Sequence, residues 1–289
     1  MTKILVTGGN GQLGNELRKV APNLPFSFTF TDVAELDITH IADIEALFNK
    51  QPFDYIINCA AYTNVNKAES EEDIALKINA IAPENLAQVS AKHNCRFIHI
   101  STDYVFDGTN CHPYNEDDAV CPQSAYGRTK LEGEQRALKA NPNTIIIRTA
   151  WLYSEFGNNF VKTMMRLGTE KDEISVVFDQ VGTPTYAGDL AQAIGTIIQN
   201  IESKQEKFVA GIYHYTNEGV CSWYDFTKEI LSQSRISCNV KPIESKDYPT
   251  PAKRPFYSVL NKQKIKTTYS IAIPYWKDSL GVCLQNVLK

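Results

Sequence analysis

Three apolar residues, Ile4-Leu5-Val6, run straight into Thr7-Gly8-Gly9-Asn10-Gly11-Gln12-Leu13-Gly14, after which Glu16, Leu17 and Val20 open a helical period. The order is strand, glycine turn, helix. Glycines at 8, 11 and 14 let the backbone turn tightly, let a pyrophosphate approach the N-terminus of the helix, and let the helix pack closely on the strand. A glycine string of this kind carries little by itself, since many glycine turns bind nothing. Its place between an N-terminal strand and a helix makes dinucleotide binding the favoured reading. The fold that follows is α/β, a Rossmann-type doubly wound parallel sheet.

The next segments extend that pattern. Phe26-Ser27-Phe28-Thr29-Phe30-Thr31 alternates apolar and hydroxyl residues as a strand does, and ends on Asp32. Asp32 stands about 20 residues beyond the glycine turn, where a carboxylate accepts hydrogen bonds from the adenosine ribose, though a solvated acid at a strand end has the same signature. Asp37 either reaches the adenine amino group or closes a turn, and Thr39 is placed to cap a helix over Ile41 to Asn49. Asp54 to Ala61 reads as a buried strand, and the small residues Ala60 and Ala61 leave room for a cofactor against the backbone. A long helical pattern from Ser70 to about His93 carries Asn79 and is interrupted by Pro83, which predicts a kink or break. The strand Arg96 to Ile100 delivers Ser101 to Gly108 to its C-terminal edge, the edge where ligands bind in open parallel sheets.

A polar loop over residues 109–125 then leads to Tyr126-Gly127-Arg128-Thr129-Lys130. On a helix, positions four apart share a face, so Tyr126 and Lys130 can look onto one site. A cation there lowers the phenol's pKa toward working pH, where acid catalysis is most effective; the bland alternative is an amphipathic surface pair. Asn143 to Arg148 is a further core strand ending in Thr149-Ala150-Trp151, with Trp151 either packed in the core or serving as a ligand platform.

Beyond Trp151 the strand and helix alternation loosens. A chain of 289 residues with 43% hydrophobic content can bury a large and a small unit sharing an interface. The expected division is a dinucleotide-binding domain over 1–150 and a smaller C-terminal substrate-binding domain over 151–289, with segments of the latter returning to the first. Helices are expected from Asn158-Asn159-Phe160, from about Gly188 to Asn200, and after a Ser222 cap with Trp223, Phe226 and Ile230 on the buried face. Strands are expected at Ile174 to Phe178 and Tyr213 to Thr216, and Tyr248 to Pro255 is an extended basic loop. Arg254 in that loop either forks onto a substrate phosphate or is an ordinary surface arginine.

Net charge is −4 without a long Lys/Arg run, which argues against nucleic acid and for a small-molecule partner. No apolar run is long enough for a bilayer, and the N-terminus enters a strand without a cleavable leader pattern, so no membrane association is expected. Seven scattered cysteines without CxxC pairing fit reduced thiols in the cytoplasm. The five dispersed histidines, without HExxH, give no expectation of a metal site.

Taken together, the glycine turn, the Ser101-Thr102 strand end and Tyr126-Gly127-Arg128-Thr129-Lys130 resemble the extended short-chain dehydrogenases/reductases. More narrowly, four segments resemble the dTDP-4-dehydrorhamnose reductases: Val65-Asn66-Lys67-Ala68-Glu69, Ser101-Thr102-Asp103-Tyr104-Val105-Phe106-Asp107-Gly108, Asp179-Gln180-Val181-Gly182-Thr183-Pro184-Thr185 and Pro251-Ala252-Lys253-Arg254-Pro255. Asn66 departs from the aspartate usual there. The resemblance implies NAD(P)H-dependent reduction of the 4-keto group of a dTDP-linked deoxyhexulose to dTDP-L-rhamnose, a donor for cell-surface polysaccharide. It implies Tyr126 as proton donor, Lys130 as the residue holding the nicotinamide ribose and lowering the phenol's pKa, and Thr102, with Ser101 as rival, as hydrogen-bond donor to the carbonyl oxygen. It places Gly11, Gln12, Leu13, Asp32, Asp37, Ile38, Ala61, Tyr62 and Thr63 along the cofactor, and Asp103, Trp151 and Arg254 on the nucleotide sugar. Two other readings share these motifs: a reductase or epimerase of another nucleotide sugar, and a non-catalytic regulatory subunit of the methionine adenosyltransferase type. Asp32, with no cation among Thr31, Val33, Ala34 and Glu35, favours NADH modestly over NADPH. Some relatives pair through surface carboxylates and a metal, but the tail from Trp276 to Cys283 has no acidic cluster, so a monomer or weak homodimer is expected.

Overall fold

The computed structural model of the chain describes residues 1–288. Its first strand, Lys3–Thr7, is central in a six-stranded sheet whose order is Gly211–His214, Thr144–Thr149, Arg96–Thr102, Tyr55–Asn58, Lys3–Thr7, Ser27–Thr31. Every neighbouring pair is parallel. From Lys3–Thr7 the chain steps outward to Ser27–Thr31, then crosses back to Tyr55–Asn58 on the other side. That reversal opens a crevice beyond the C-terminal ends of Lys3–Thr7 and Tyr55–Asn58, the place where such sheets bind ligands.

Continuous apolar runs form these strands because both faces of the sheet are covered. Ile4, Val6 and Ile57 pack with Leu17 and with Ile194, Ile197 and Ile198 of the helix Ala187–Glu202. Leu5, Ile56 and Phe97 face the other way, onto Leu86 of Ala82–Lys92 and Ala137 of Ala125–Ala140. The helix Ala187–Glu202 and the strand Gly211–His214 therefore belong to the sheet's layers although they lie in the C-terminal half. A second core gathers around the helices Phe160–Glu170, Trp223–Gln233 and Trp276–Val287 and the parallel pair Glu173–Val177 with Asn239–Ile243. Ser222 caps its helix as expected, through a capping box in which Ser222 Oγ accepts from the Asp225 amide at 3.0 Å.

Two local expectations are corrected. The helix Ile41–Lys50 has His40, not Thr39, at its N-cap, because Asp37 Oδ1 holds both the Thr39 amide at 2.9 Å and the Thr39 hydroxyl at 2.7 Å. Asp37 is thus engaged in a turn. The interruption expected at Pro83 is not a break, and the irregularity precedes it: Glu72–Leu76 passes through a π-helical turn, Lys77–Ile81, into Ala82–Lys92, with Pro83 in the first turn of that last segment. No helix among the described residues is long and apolar enough to cross a membrane.

Candidate active site

The crevice is shaped by the close approach of two backbones. Gly8 has φ +68°, and a Cβ built on it would stand 2.6 Å from the Ala60 nitrogen, so no other residue fits between the glycine turn and the Ala60-Ala61 stretch. A buried polar network locks the same strand ends. Thr7 Oγ1 donates to Asn58 Oδ1 at 2.7 Å, the Ala60 amide donates to that oxygen at 3.1 Å, and Asn58 Nδ2 lies 3.0 Å from His99 Nδ1. Burial, with Lys130 nearby, holds His99 well below its ordinary pKa, so its Nδ1 accepts from the Asn58 amide.

This cradle fits a dinucleotide. The helix Gln12–Val20 begins at Gly11 with no side chain capping it, which leaves its N-terminus facing the crevice for a pyrophosphate. Asp32 sits at the end of Ser27–Thr31 and accepts from the Asn10 amide at 2.9 Å, which ties the glycine turn to that strand end. Asn79, carried on the π turn, fixes the outer wall: Oδ1 accepts from the Tyr62 amide at 2.8 Å, and Nδ2 donates to the Tyr62 carbonyl at 3.1 Å and to Thr129 Oγ1 at 3.2 Å. Tyr62 is half-buried with its hydroxyl on Glu71, and Thr63 is exposed. The side chains of Leu13 and Ile38 are buried, so Leu13 reaches the crevice only through its backbone. Gln12 Oε1 accepts from Asn159 Nδ2 at 3.0 Å, joining the glycine turn to the second half of the chain.

The helix Ala125–Ala140 brings Tyr126 and Lys130 to the adjoining edge. Ser124 caps it, accepting from the Gly127 amide at 3.1 Å, and Glu69 Oε1 takes the Ala125 amide at 2.8 Å. At Gly127 a Cβ would stand 2.3 Å from the Tyr104 carbonyl oxygen, so glycine is what lets this helix press against the turn after Thr102. Tyr126 consequently meets Tyr104 edge to face, with ring centroids 5.5 Å apart. The hydroxyl that faces the Tyr126 phenol is that of Thr102, which pulls its pKa down against a larger upward push from burial. Ser101 Oγ is buried without a partner. Lys130 does not lower the phenol here. Its ammonium is buried and donates to the Ile100 carbonyl at 2.6 Å, and burial brings its own pKa down to about 8. Sharing a helix face fixes where the two stems start, while the lysine's four-carbon reach carries its charge under the sheet edge.

Segments far apart in sequence complete the wall. Asp103 is buried, receives the Thr102 hydroxyl at 3.0 Å, leaves Oδ2 without a partner, and is pushed up to about 7 chiefly by burial. Arg254 lies beside the Tyr104 hydroxyl with its Nε unpartnered, in a loop that rests on Gly108 through Pro255. Trp151 has φ +50°, a left-handed conformation that costs a bulky residue about 1–3 kcal/mol and that clusters at functional sites. Its indole stacks on Trp223 with centroids 3.5 Å apart; Gly182 lies against both the indole and Ser258, and Ser258 lies by Asp103. Thr102, Asp103 and Tyr126 thus come together with Tyr104 and Arg254, and Trp151 faces the same wall. Tyr104, Asn79 and Trp223 were not singled out from the sequence as site residues. Trp223 read there as a core face of its helix, and only Tyr104 carried a signal, its place between Thr102 and Gly108.

The model of the family described as RmlD substrate binding domain matches residues 1–289. A dTDP-4-dehydrorhamnose reductase of Aggregatibacter actinomycetemcomitans is 40% identical over 287 residues, covering 97% of each chain. Among solved structures, a dTDP-4-dehydrorhamnose reductase of Clostridium acetobutylicum superposes with a TM-score of 0.94 at 45% identity, covering 100% of both chains. One from Bacillus anthracis, in complex with NADP, superposes with a TM-score of 0.93 at 38% identity, covering 99% of this chain and 100% of that one. A Rossmann-type sheet with this cradle, matched by the family model from end to end, places the chain in the RmlD substrate binding domain family, alongside the dTDP-4-dehydrorhamnose reductases.

Proposed function

We propose that this chain is an NAD(P)H-dependent oxidoreductase that reduces the 4-keto group of dTDP-4-dehydrorhamnose to give dTDP-L-rhamnose. The observation that carries this reading is the meeting of the Thr102 hydroxyl and the Tyr126 phenol at the crevice edge, beside a glycine turn that packs directly on the Ala60 backbone. When bound, the nicotinamide supplies the hydride. Thr102 Oγ1 turns its hydrogen from Asp103 to the ketone oxygen, and Tyr126 gives its proton to that oxygen as negative charge develops there. Burial raises the Tyr126 pKa and so keeps the phenol in the protonated form that reduction requires. Lys130 holds the nicotinamide ribose. Asp103 takes a sugar hydroxyl, Arg254 the diphosphate, and Trp151, stacked on Trp223, a ring face.

In this reading residues 1–150 hold the dinucleotide and contribute Thr102 and Asp103 to the sugar, and residues 151–289 mainly hold the nucleotide sugar, apart from the segment 187–214 that returns to the sheet. Seven free cysteines fit a cytoplasmic protein, and it acts as a monomer or weak homodimer without a required metal. The test follows NAD(P)H oxidation with dTDP-4-dehydrorhamnose and with GDP- and UDP-linked ketosugars. Turnover confined to the dTDP sugar is expected. Equal rates with the others would overturn the substrate, and dinucleotide binding without oxidation of any would favour a regulatory subunit.

A further inference from the structure

We infer that Arg18 is the residue through which this site accepts the 2′-phosphate of NADPH, beside an Asp32 that serves the ribose hydroxyls of NADH. The inference rests on the dinucleotide reading above and concerns only the adenosine end of the cradle. The glycine turn lies directly on the end of Ser27–Thr31: the Gly9 amide donates to the Thr31 carbonyl at 2.9 Å, and the Asn10 amide to Asp32 Oδ2 at 2.9 Å. Arg18 reaches back along the helix Gln12–Val20 to this turn. Its Cζ stands 4.4 Å from the Phe30 ring centroid, and its Nη2 lies 3.5 Å from the Gly9 carbonyl oxygen. Phe30 and Asp32 are two apart on an extended chain and point to the same side of it, so the guanidinium and the carboxylate flank the Gly9-Asn10 turn together.

The chemistry of the pair is complementary. Asp32 holds one backbone amide on each oxygen, from Asn10 and from Val33 at 2.8 Å, and its remaining lone pairs can only accept, as from ribose hydroxyls. A phosphate would meet repulsion from it. Arg18 is exposed, pairs with no carboxylate among the described residues, and spends at most one of its five N–H groups on the long contact to Gly9. Stacking on Phe30 orders the guanidinium in advance, with its remaining donors free for a dianionic phosphate. The neighbours of Asp32 in sequence offer no cation, and the fold supplies one from the helix that follows the glycine turn.

Calorimetric titration of the cofactor-free protein with NAD⁺ and with NADP⁺ tests this without turnover. The parent is expected to bind both, and Arg18→Met to raise the Kd for NADP⁺ about tenfold or more relative to that for NAD⁺, as loss of a charged hydrogen-bond partner implies. Arg18→Lys, which keeps the charge without the fork, should fall between the two. An unchanged NADP⁺ to NAD⁺ ratio in Arg18→Met would overturn the assignment of Arg18 while leaving the dinucleotide site intact. Failure of the parent to bind either dinucleotide would overturn the reading of the cradle itself.

Discussion

Lys130 and Arg254 each carry a charge whose place was visible in the sequence and whose partners were not. The ammonium of Lys130 is buried against the Ile100 carbonyl, so Lys130→Met keeps the stem's volume and removes the cation. Turnover and dinucleotide affinity should fall together, by about tenfold or more in Kd, as expected for a lost charge-assisted contact. Fluorescence titration giving an unchanged Kd would mean that Lys130 does not touch the ribose. Arg254 is assigned to the diphosphate and not to the ketone, so Arg254→Ala should raise KM for the nucleotide sugar about tenfold with a smaller effect on kcat. A collapse of kcat at unchanged KM would place Arg254 in the chemistry. Spacing revealed that Tyr126 and Lys130 share a helix face, because helical periodicity is local. It did not reveal that burial raises the phenol, since that depends on Tyr104 and Asp103, which the Gly127 contact brings against it.

Elements meet through buried polar pairs, and two of these give predictions. Glu16, in the helix Gln12–Val20, is 1% exposed and is pushed up to about 8, first by burial and then by sharing a proton with Glu155. Glu155 is pulled below the ordinary carboxylate range by Glu16 and Lys19 against its own burial, and Tyr186 donates to it at 2.8 Å. Ser154 Oγ completes the cluster, donating to Glu16 at 2.6 Å. A folded state that keeps a proton the unfolded chain releases loses stability as pH rises from about 4.5 to about 8. The decline should be on the order of 2–4 kcal/mol, and Glu16→Gln, which fixes the protonated shape, should flatten it. Urea melts across that range that decline equally in parent and variant would show that Glu16 is not the group responsible. The second pair is Asn79 with Tyr62. Asn79→Ala leaves the Tyr62 amide and carbonyl without their partner, so a loss of about 1–3 kcal/mol and weaker dinucleotide binding are expected. A calorimetric Tm within about 1 °C of the parent would contradict it. From the sequence, Pro83 announced an irregularity in this helix, but a π turn that aims Asn79 at Tyr62 depends on the packing of the next helix against it.

For the molecule as a whole, the sheet was legible because its inner strands are largely apolar runs between turn residues, the strand before Asp32 alternates, and the glycine turn marked where the first strand passes into a helix. A strand expected at Tyr213 to Thr216 lies at Gly211–His214, and although some C-terminal segment was expected to return to the first domain, the sequence did not show that it is this one, since pairing partners are set by the crossover of Ala187–Glu202 and not by local pattern. The same limit hid the convergence of Trp151 with Trp223 and of Arg254 with Tyr104, which join loops carried by different layers. The motifs named the segments, and the fold supplied their meeting. The central claim is that this meeting makes Tyr126 the proton donor in a dinucleotide-dependent ketone reduction. Its most direct measurement is Tyr126→Phe assayed twice on one preparation, for NAD(P)H binding by titration and for oxidation of NAD(P)H with dTDP-4-dehydrorhamnose. Cofactor Kd should stay within about twofold while kcat falls on the order of 100- to 10,000-fold, the usual contribution of a positioned acid; a kcat within about threefold of the parent, with the phenol gone and the cofactor bound, would contradict the account.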